Sequence, residues 1–149
     1  MFYQVYPPGE GPYNSRTFDL HIWDLDRGWP IIQITSPSAP GNVVSLKTVS
    51  GAVTFLLLSW PFMAEGQRVR IIAKGVPQAG EQDTYNLRKG DAEIVTSDEY
   101  NAGKVEAELP RIFLTTLTLG LQFNLAVEIS FDGGVSYKQF PMISPQLVP

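Results

Sequence analysis

Glycine and proline interrupt this chain at short intervals, and the runs between them are short, β-branched and aromatic. Thirteen glycines and twelve prolines are spread along 149 residues. Proline locks φ and lacks an amide hydrogen, and glycine admits positive φ, so long helices do not survive such punctuation. Brief runs rich in Val, Ile, Thr and Phe at this spacing signal an all-β sandwich or barrel. Strands do not alternate with long amphipathic helices, which argues against a parallel α/β sheet.

Period-2 patterning then selects the strands. Phe2 to Tyr6 and Thr17 to Trp23 flank a Pro-Pro-Gly-Glu-Gly-Pro turn, and Phe18, Leu20 and Ile22 share one face of the second run. Ile31 to Thr35 and Val43 to Val49 follow, on either side of a Ser-Pro-Ser-Ala-Pro-Gly linker. Ala52 to Trp60 is apolar on both faces from Phe55 to Leu58 and reads as a central strand. Gln67 to Lys74 alternates Val69 and Ile71 with Arg68 and Arg70. Thr84 to Arg88 and Ala92 to Thr96 read as two shorter strands, and Val105 to Leu109 as a weak one. In Leu121 to Phe131, the residues Leu121, Phe123, Leu125, Val127 and Ile129 fall on one face. Asp132-Gly-Gly134 then turns the chain into Val135 to Ile143.

Two short helical turns fit the remaining segments. Thr96-Ser-Asp-Glu99 is a capping-box pattern, with Gly103 as its stop. Pro110 to Leu119 has proline at a helix start and Gly120 at its end, against a β-branched interior, Thr115-Thr-Leu-Thr, that favours helix poorly.

Composition and motifs narrow the chemistry. Hydrophobic residues make up 44 % and charged residues 17 %, with 11 % aromatic, which is not a disordered composition. A net charge of −4 argues against nucleic acid as a partner. The absence of cysteine rules out disulfides, thiolate metal sites and cysteine nucleophiles. His21 is the single histidine and sits on a polar strand face without a Gly-x-Ser-x-Gly elbow, so it reads as a surface residue. The acidic pairs Asp19 and Asp24, Glu81 and Asp83, Asp91 and Glu93, and Asp98 and Glu99 lie away from the aromatic residues and read as solvated surface. No calcium-loop, Walker or Rossmann pattern occurs, so no cofactor and no metal site is expected. The stretch Ile112 to Val127 is uncharged but too short and too polar for a membrane span, which takes about 20 apolar residues. The opening Met1-Phe-Tyr-Gln-Val-Tyr-Pro-Pro lacks the basic and apolar regions of a signal peptide. That leaves a cytoplasmic chain, export directed from elsewhere, or an excerpt of a longer protein.

The aromatic residues remain. Trp60 ends the most apolar run and reads as core. Trp23 and Trp29 flank a polar bend, Asp24-Leu-Asp-Arg-Gly-Trp29-Pro30, and read first as a joint between units. With Tyr13 they are also the candidate ligand-binding residues, because planar rings on a sheet face form a platform on which a sugar stacks.

The segment Ala52 to Gly75, with Trp60-Pro-Phe-Met-Ala64, Gly66-Gln67 and Val69-Arg-Ile71, resembles the immunoglobulin-like repeats of large bacterial modular surface or secreted proteins. In those repeats a strand runs into a Trp-Pro-Phe-Ala-x-Gly-Gln corner. Ala102-Gly103, Leu109-Pro-Arg111, Leu117, Gly120, Phe131-Asp-Gly133 and Phe140-Pro141 are similar to the later half of such a repeat. The resemblance covers about residues 31 to 147 and implies an all-β, antiparallel immunoglobulin-like β-sandwich with at most one or two short helical turns. The sandwich would occupy residues 43–149, after a linker and first strand over 26–42. The hairpin at 1–25 resembles the end of a preceding repeat. The implied role is non-catalytic: a spacer or adhesion unit of a cell-surface or secreted protein. Neighbouring repeats, or another copy of the chain meeting it through the N-terminal hairpin, are the implied partners. A carbohydrate-binding module contacting a host or cell-surface glycan is the alternative.

Overall fold

The computed structural model describes residues 4–5, 13–14 and 28–149. Two short pieces lie near the N-terminus: β1 (Gln4–Val5) pairs antiparallel with β2 (Tyr13–Asn14). The partner expected for the first strand, Thr17 to Trp23, lies outside the described residues. The main body comprises β3 (Gln33–Ser36), β4 (Val43–Ser45), β5 (Ala52–Leu58), β6 (Arg68–Gly75), β7 (Asp83–Ile94), α1 (Ser97–Ala102), β8 (Lys104–Pro110), α2 (Arg111–Thr116), β9 (Asn124–Ser130), β10 (Lys138–Gln139) and β11 (Gln146–Val148). It is a mostly β fold with two six-residue helices.

Two antiparallel sheets carry the body. One has the order β3-β5-β8, the other β10-β9-β6-β7. β5 is central in its sheet, as its apolar run predicts. A third, two-stranded element pairs β4 with β11 in parallel. The core follows from the period-2 pattern: Val53, Phe55 and Leu57 of β5, Val69 and Ile71 of β6, and Leu125, Val127 and Ile129 of β9 are all buried, with Phe123 just before β9. They form one cluster with Val105, Ala107 and Leu109 of β8, so the two sheets share a core. Leu58 and Leu121 are exposed, so the apolar runs extend past the buried faces at those two positions.

Local chemistry explains the helices and the departures. Thr96 Oγ1 accepts from the Glu99 amide and Glu99 Oε2 accepts from the Thr96 amide, completing the capping box of α1. Gly103 ends α1 at φ +64°. α2 forms despite its threonines, whose hydroxyls at 115 and 116 donate to the carbonyls of Ile112 and Phe113, and Phe113 and Leu114 bury one side of it. It stops at Leu117, before Gly120, where Leu114 and Leu117 turn into the core.

The two strands expected over 84–96 are one strand, β7. Arg68 pairs with Ile94 and Arg70 with Lys89, so Gly90 to Glu93 bulge out of a continuous ladder. Gly90 adopts φ +87°, and a Cβ there would stand 2.7 Å from Arg70 Cγ, so only glycine fits. Of the expected strand Val43 to Val49, only β4 is extended; the chain then turns, with the Thr48 hydroxyl and Val49 amide both donating to the Ser45 carbonyl. Past Gln139 the expected strand Val135 to Ile143 leaves regular pairing, and β11 arises beyond it from a segment with no period-2 signal.

The crossing from β5 to β6 carries the chain from one sheet to the other, and Trp60 stands at its corner. Its ring is buried, and its Nε1–H donates to Gln67 Oε1 at 3.0 Å. The same oxygen accepts from the Ala64 amide at 3.1 Å, while Gln67 Nε2 donates to the Phe62 carbonyl at 2.7 Å. One side chain thus satisfies the indole and closes the loop. Gly66 supplies φ +80° and donates to the Val95 carbonyl, and Val95 returns a bond to the Gln67 carbonyl. Gln67→Leu strands the indole N–H and is expected to lower the unfolding free energy by about 1–3 kcal/mol in urea titrations. The same substitution in a Trp60→Phe background is expected to cost measurably less. Equal losses in both backgrounds would show that the Trp60–Gln67 bond does not hold the corner.

Candidate functional site

The strand directions give the body two distinct ends. β9 runs toward Ser130, which pairs with Arg68 at the start of β6. The chain then returns along β9: Lys138 pairs with Ile129, Ile143 bridges to Leu125, and Gln146 bridges to Gln122. Segment 138–148 therefore runs from the Ser130 end to the Asn124 end, where the Leu147 amide donates to the Leu121 carbonyl. Trp29, which leads into β3, lies at the Ser130 end.

Trp29 is half-buried there. Its ring stacks on Phe140 at 5.0 Å between centroids and 29° between planes, and meets Phe131 at 6.0 Å. Phe140 in turn meets Trp60 edge-on at 5.9 Å. Lys138 Nζ lies 5.9 Å from the Trp29 ring centroid, at the edge of cation–π range. The Trp29 Nε1–H is buried and has no hydrogen-bond partner among the described residues. The described body therefore begins with an aromatic stack continuous with the Trp60 corner. Of the other candidate ligand-binding residues, Tyr13 belongs to β2 and Trp23 lies outside the described residues, as does His21. Phe62 is 74 % exposed and held at φ +63°, a conformation that bulky residues rarely adopt.

The acidic pairs have separate fates. Asp91 lies 3.6 Å from Arg68, and Glu93 accepts the Lys89 amide. Glu99 binds the buried Arg88 at 2.5 Å, and Arg88 also donates to the Ile94 carbonyl at 2.8 Å. Burial raises the Glu99 pKa, but hydrogen bonds from the Arg88 guanidinium and the Thr96 amide outweigh it and leave the carboxyl below its ordinary value. Among the described residues, no three His, Cys, Asp or Glu side chains gather as a metal site. On the outer face of β6, the Arg70 guanidinium sits 3.5 Å over the Tyr137 ring and 3.7 Å from Glu128.

Sequence reasoning did not single out Gln67, Arg88 or Arg70 as working groups. Period-2 alternation with Tyr85 and Leu87 puts Arg88 on the outward face; it turns inward because the β6–β7 register shifts between Ile71 and Ile72. Gln67 was legible as a member of the corner motif but not as the acceptor of the Trp60 indole, and Arg70 carries no signal, because its partners come from neighbouring segments.

The Asp132 turn is built as a polar nest. The Ser136 hydroxyl and amide donate to the Asp132 carboxylate at 2.5 and 2.9 Å, and the Ser130 hydroxyl at 2.7 Å. Gly133 and Gly134 supply the positive φ between them. Compared with protein-family models, with curated proteins and with solved structures, the chain matches none.

The Ser136 hydroxyl, first, then its amide and the Ser130 hydroxyl hold the Asp132 carboxyl well below the usual carboxylate range. A depressed folded-state pKa adds stability above the unfolded value, near 3.9, and loses it as pH falls toward the folded value. Asp132→Asn is therefore expected to lower Tm most above about pH 5, with the gap to the unsubstituted chain narrowing below about pH 4. Thermal scans across that range check it; a gap that is constant or widens on acidification contradicts the turn's role.

Proposed function

We propose that this chain is a non-catalytic, immunoglobulin-like β-sandwich module that serves as a spacer or adhesion unit in a longer bacterial surface or secreted protein. The strand order supports the sandwich. Read as such a sandwich, the β3-β5-β8 sheet would correspond to strands A, B and E, and the β10-β9-β6-β7 sheet to G, F, C and C′. The chain changes sheet at β5–β6, at β7–β8 and at β8–β9, as that topology requires.

One observation carries the spacer reading: the described body begins with Trp29 at the Ser130 end, and its last strand, β11, runs toward the Asn124 end. A body threaded in this way passes tension from end to end. The parallel pair β4–β11 lies on that line, with residues 43 to 45 in register with 146 to 148. Beyond the ladder, the Leu46 amide donates to the Val148 carbonyl at 2.9 Å and the Ser45 hydroxyl to the Pro149 carbonyl at 2.6 Å. Opposed pulls on parallel strands load these hydrogen bonds together, in shear, whereas a hairpin unzips them one at a time. The aromatic stack of Trp29, Phe140 and Trp60 anchors the incoming segment to the core.

Single-molecule pulling tests the reading. With handles at the two chain ends, the body is expected to resist as one cooperative unit. Leu46→Pro, which removes the amide donating to Val148, is expected to lower the unfolding force. Unfolding at equal force with and without that substitution would contradict the load-bearing role.

A further inference from the structure

A groove of about 620 Å³ runs beside β8, between the free edges of the two sheets. Glu106, Ala107 and Glu108 of β8 and Thr54 of β5 form one wall. Leu87, the bulged residues Ala92 and Glu93, and Ile94 of β7 form the other. Among the described residues β8 pairs with β5 alone, over seven residues in unbroken register from Lys104 to Pro110. The other edges are less usable. β3 has a register shift between Ile34 and Ser36, β7 carries its bulge, and β10 is two residues long. β8 is thus the regular edge among the described strands, and alternate backbone N–H and C=O groups along it lack a strand partner.

The charge on this edge selects what it can pair with. Glu106 and Glu108 are exposed on the same face, and Glu93 faces them from the bulge. Arg88, also lining the groove, is neutralised by Glu99. The cation on the β8 wall is Lys104, 2.9 Å from Glu106. A second copy is the disfavoured occupant: full-length antiparallel pairing of two β8 strands sets Glu106 of one copy against Glu108 of the other, twice. Like charges directly opposed weaken a sheet.

We propose that the β8 edge is a strand-addition site for an extended segment of a partner protein carrying Lys or Arg at alternate positions. Its backbone would continue the β3-β5-β8 sheet. Its basic side chains would meet Glu106 and Glu108, and its intervening apolar side chains would turn toward Ala107, Leu87 and Ala92. Main-chain bonds give affinity in this mode, and the alternating side chains give specificity. The proposal does not depend on the spacer reading, which concerns the ends of the body and not its open side.

The test uses the full chain and three hexapeptide probes: alternating Lys-Val, alternating Glu-Val, and a block peptide of three Lys then three Val. Fluorescence anisotropy at low salt reads binding, and amide hydrogen exchange locates it. The alternating Lys-Val peptide is expected to bind several-fold tighter than the block peptide and to slow exchange within residues 104–110. Each of Glu106→Gln and Glu108→Gln is expected to weaken it about threefold. The exposed double variant Glu106→Lys with Glu108→Lys is expected to bind the Glu-Val peptide instead. Equal binding of alternating and block peptides, which marks mere charge attraction, would overturn the proposal. So would protection outside β8, no binding by any probe, or concentration-dependent protection of β8 without peptide, which marks self-pairing. Should the double variant misfold, the probe comparison and the exchange map on the unsubstituted chain decide alone.

Discussion

A chain that leaves one sheet to enter the facing one must bury its corner without stranding polar groups there. Here that corner is the Trp60–Gln67 hydrogen bond. The tryptophan brings a large apolar ring into the core together with an N–H that must find an acceptor. Gln67 provides it, and its remaining capacity binds the Ala64 amide and the Phe62 carbonyl. The register of β6 follows from where Gln67 is held, since Arg68 is the next residue. Once β6 is placed, β7 and β9 pair on either side of it.

The same corner links the core to the way the chain is threaded. Trp60 meets Phe140, and Phe140 stacks on Trp29, so the incoming segment rests on the residues that close the crossing. At the opposite end the chain leaves beside β4, along a short parallel ladder extended by two further hydrogen bonds. The sides of the body serve differently from its ends. Three sheet edges are blunted by a bulge, a register shift or brevity, while β8 is regular and guarded by charge alone.

Residues whose fate is local were legible in the sequence. The alternation of Val53, Phe55 and Leu57, and of Phe123 to Ile129, set the core faces, because burial on a strand follows a period of two. The capping box at Thr96 and the glycine turn at Asp132 are each written within a few residues. What depends on distant partners was not legible. Leu147 is buried because it lies beside Val44, about a hundred residues earlier, and nothing near it announces a strand. Gly90 reads locally as a break between two strands, yet it bends a single one, because Arg70 fills the space where a side chain would stand. Of the candidate aromatic site, Trp29 was legible as a ring beside a bend, but its stacking partners Phe131 and Phe140 come from a hairpin a hundred residues away.

The central claim is that the first described residues of the body, at Trp29, and its last strand, β11, lie at opposite ends. The chain has no cysteine, so two introduced cysteines are labelled without interference. Ile31→Cys and Pro149→Cys, both at exposed positions, place spin labels at the entry and the exit. Electron–electron double resonance then reads the distance between them. β5 alone spans about 23 Å at roughly 3.3 Å per residue, so a single distribution centred beyond about 20 Å is expected. A distribution centred below about 15 Å would place entry and exit at the same end and contradict the account.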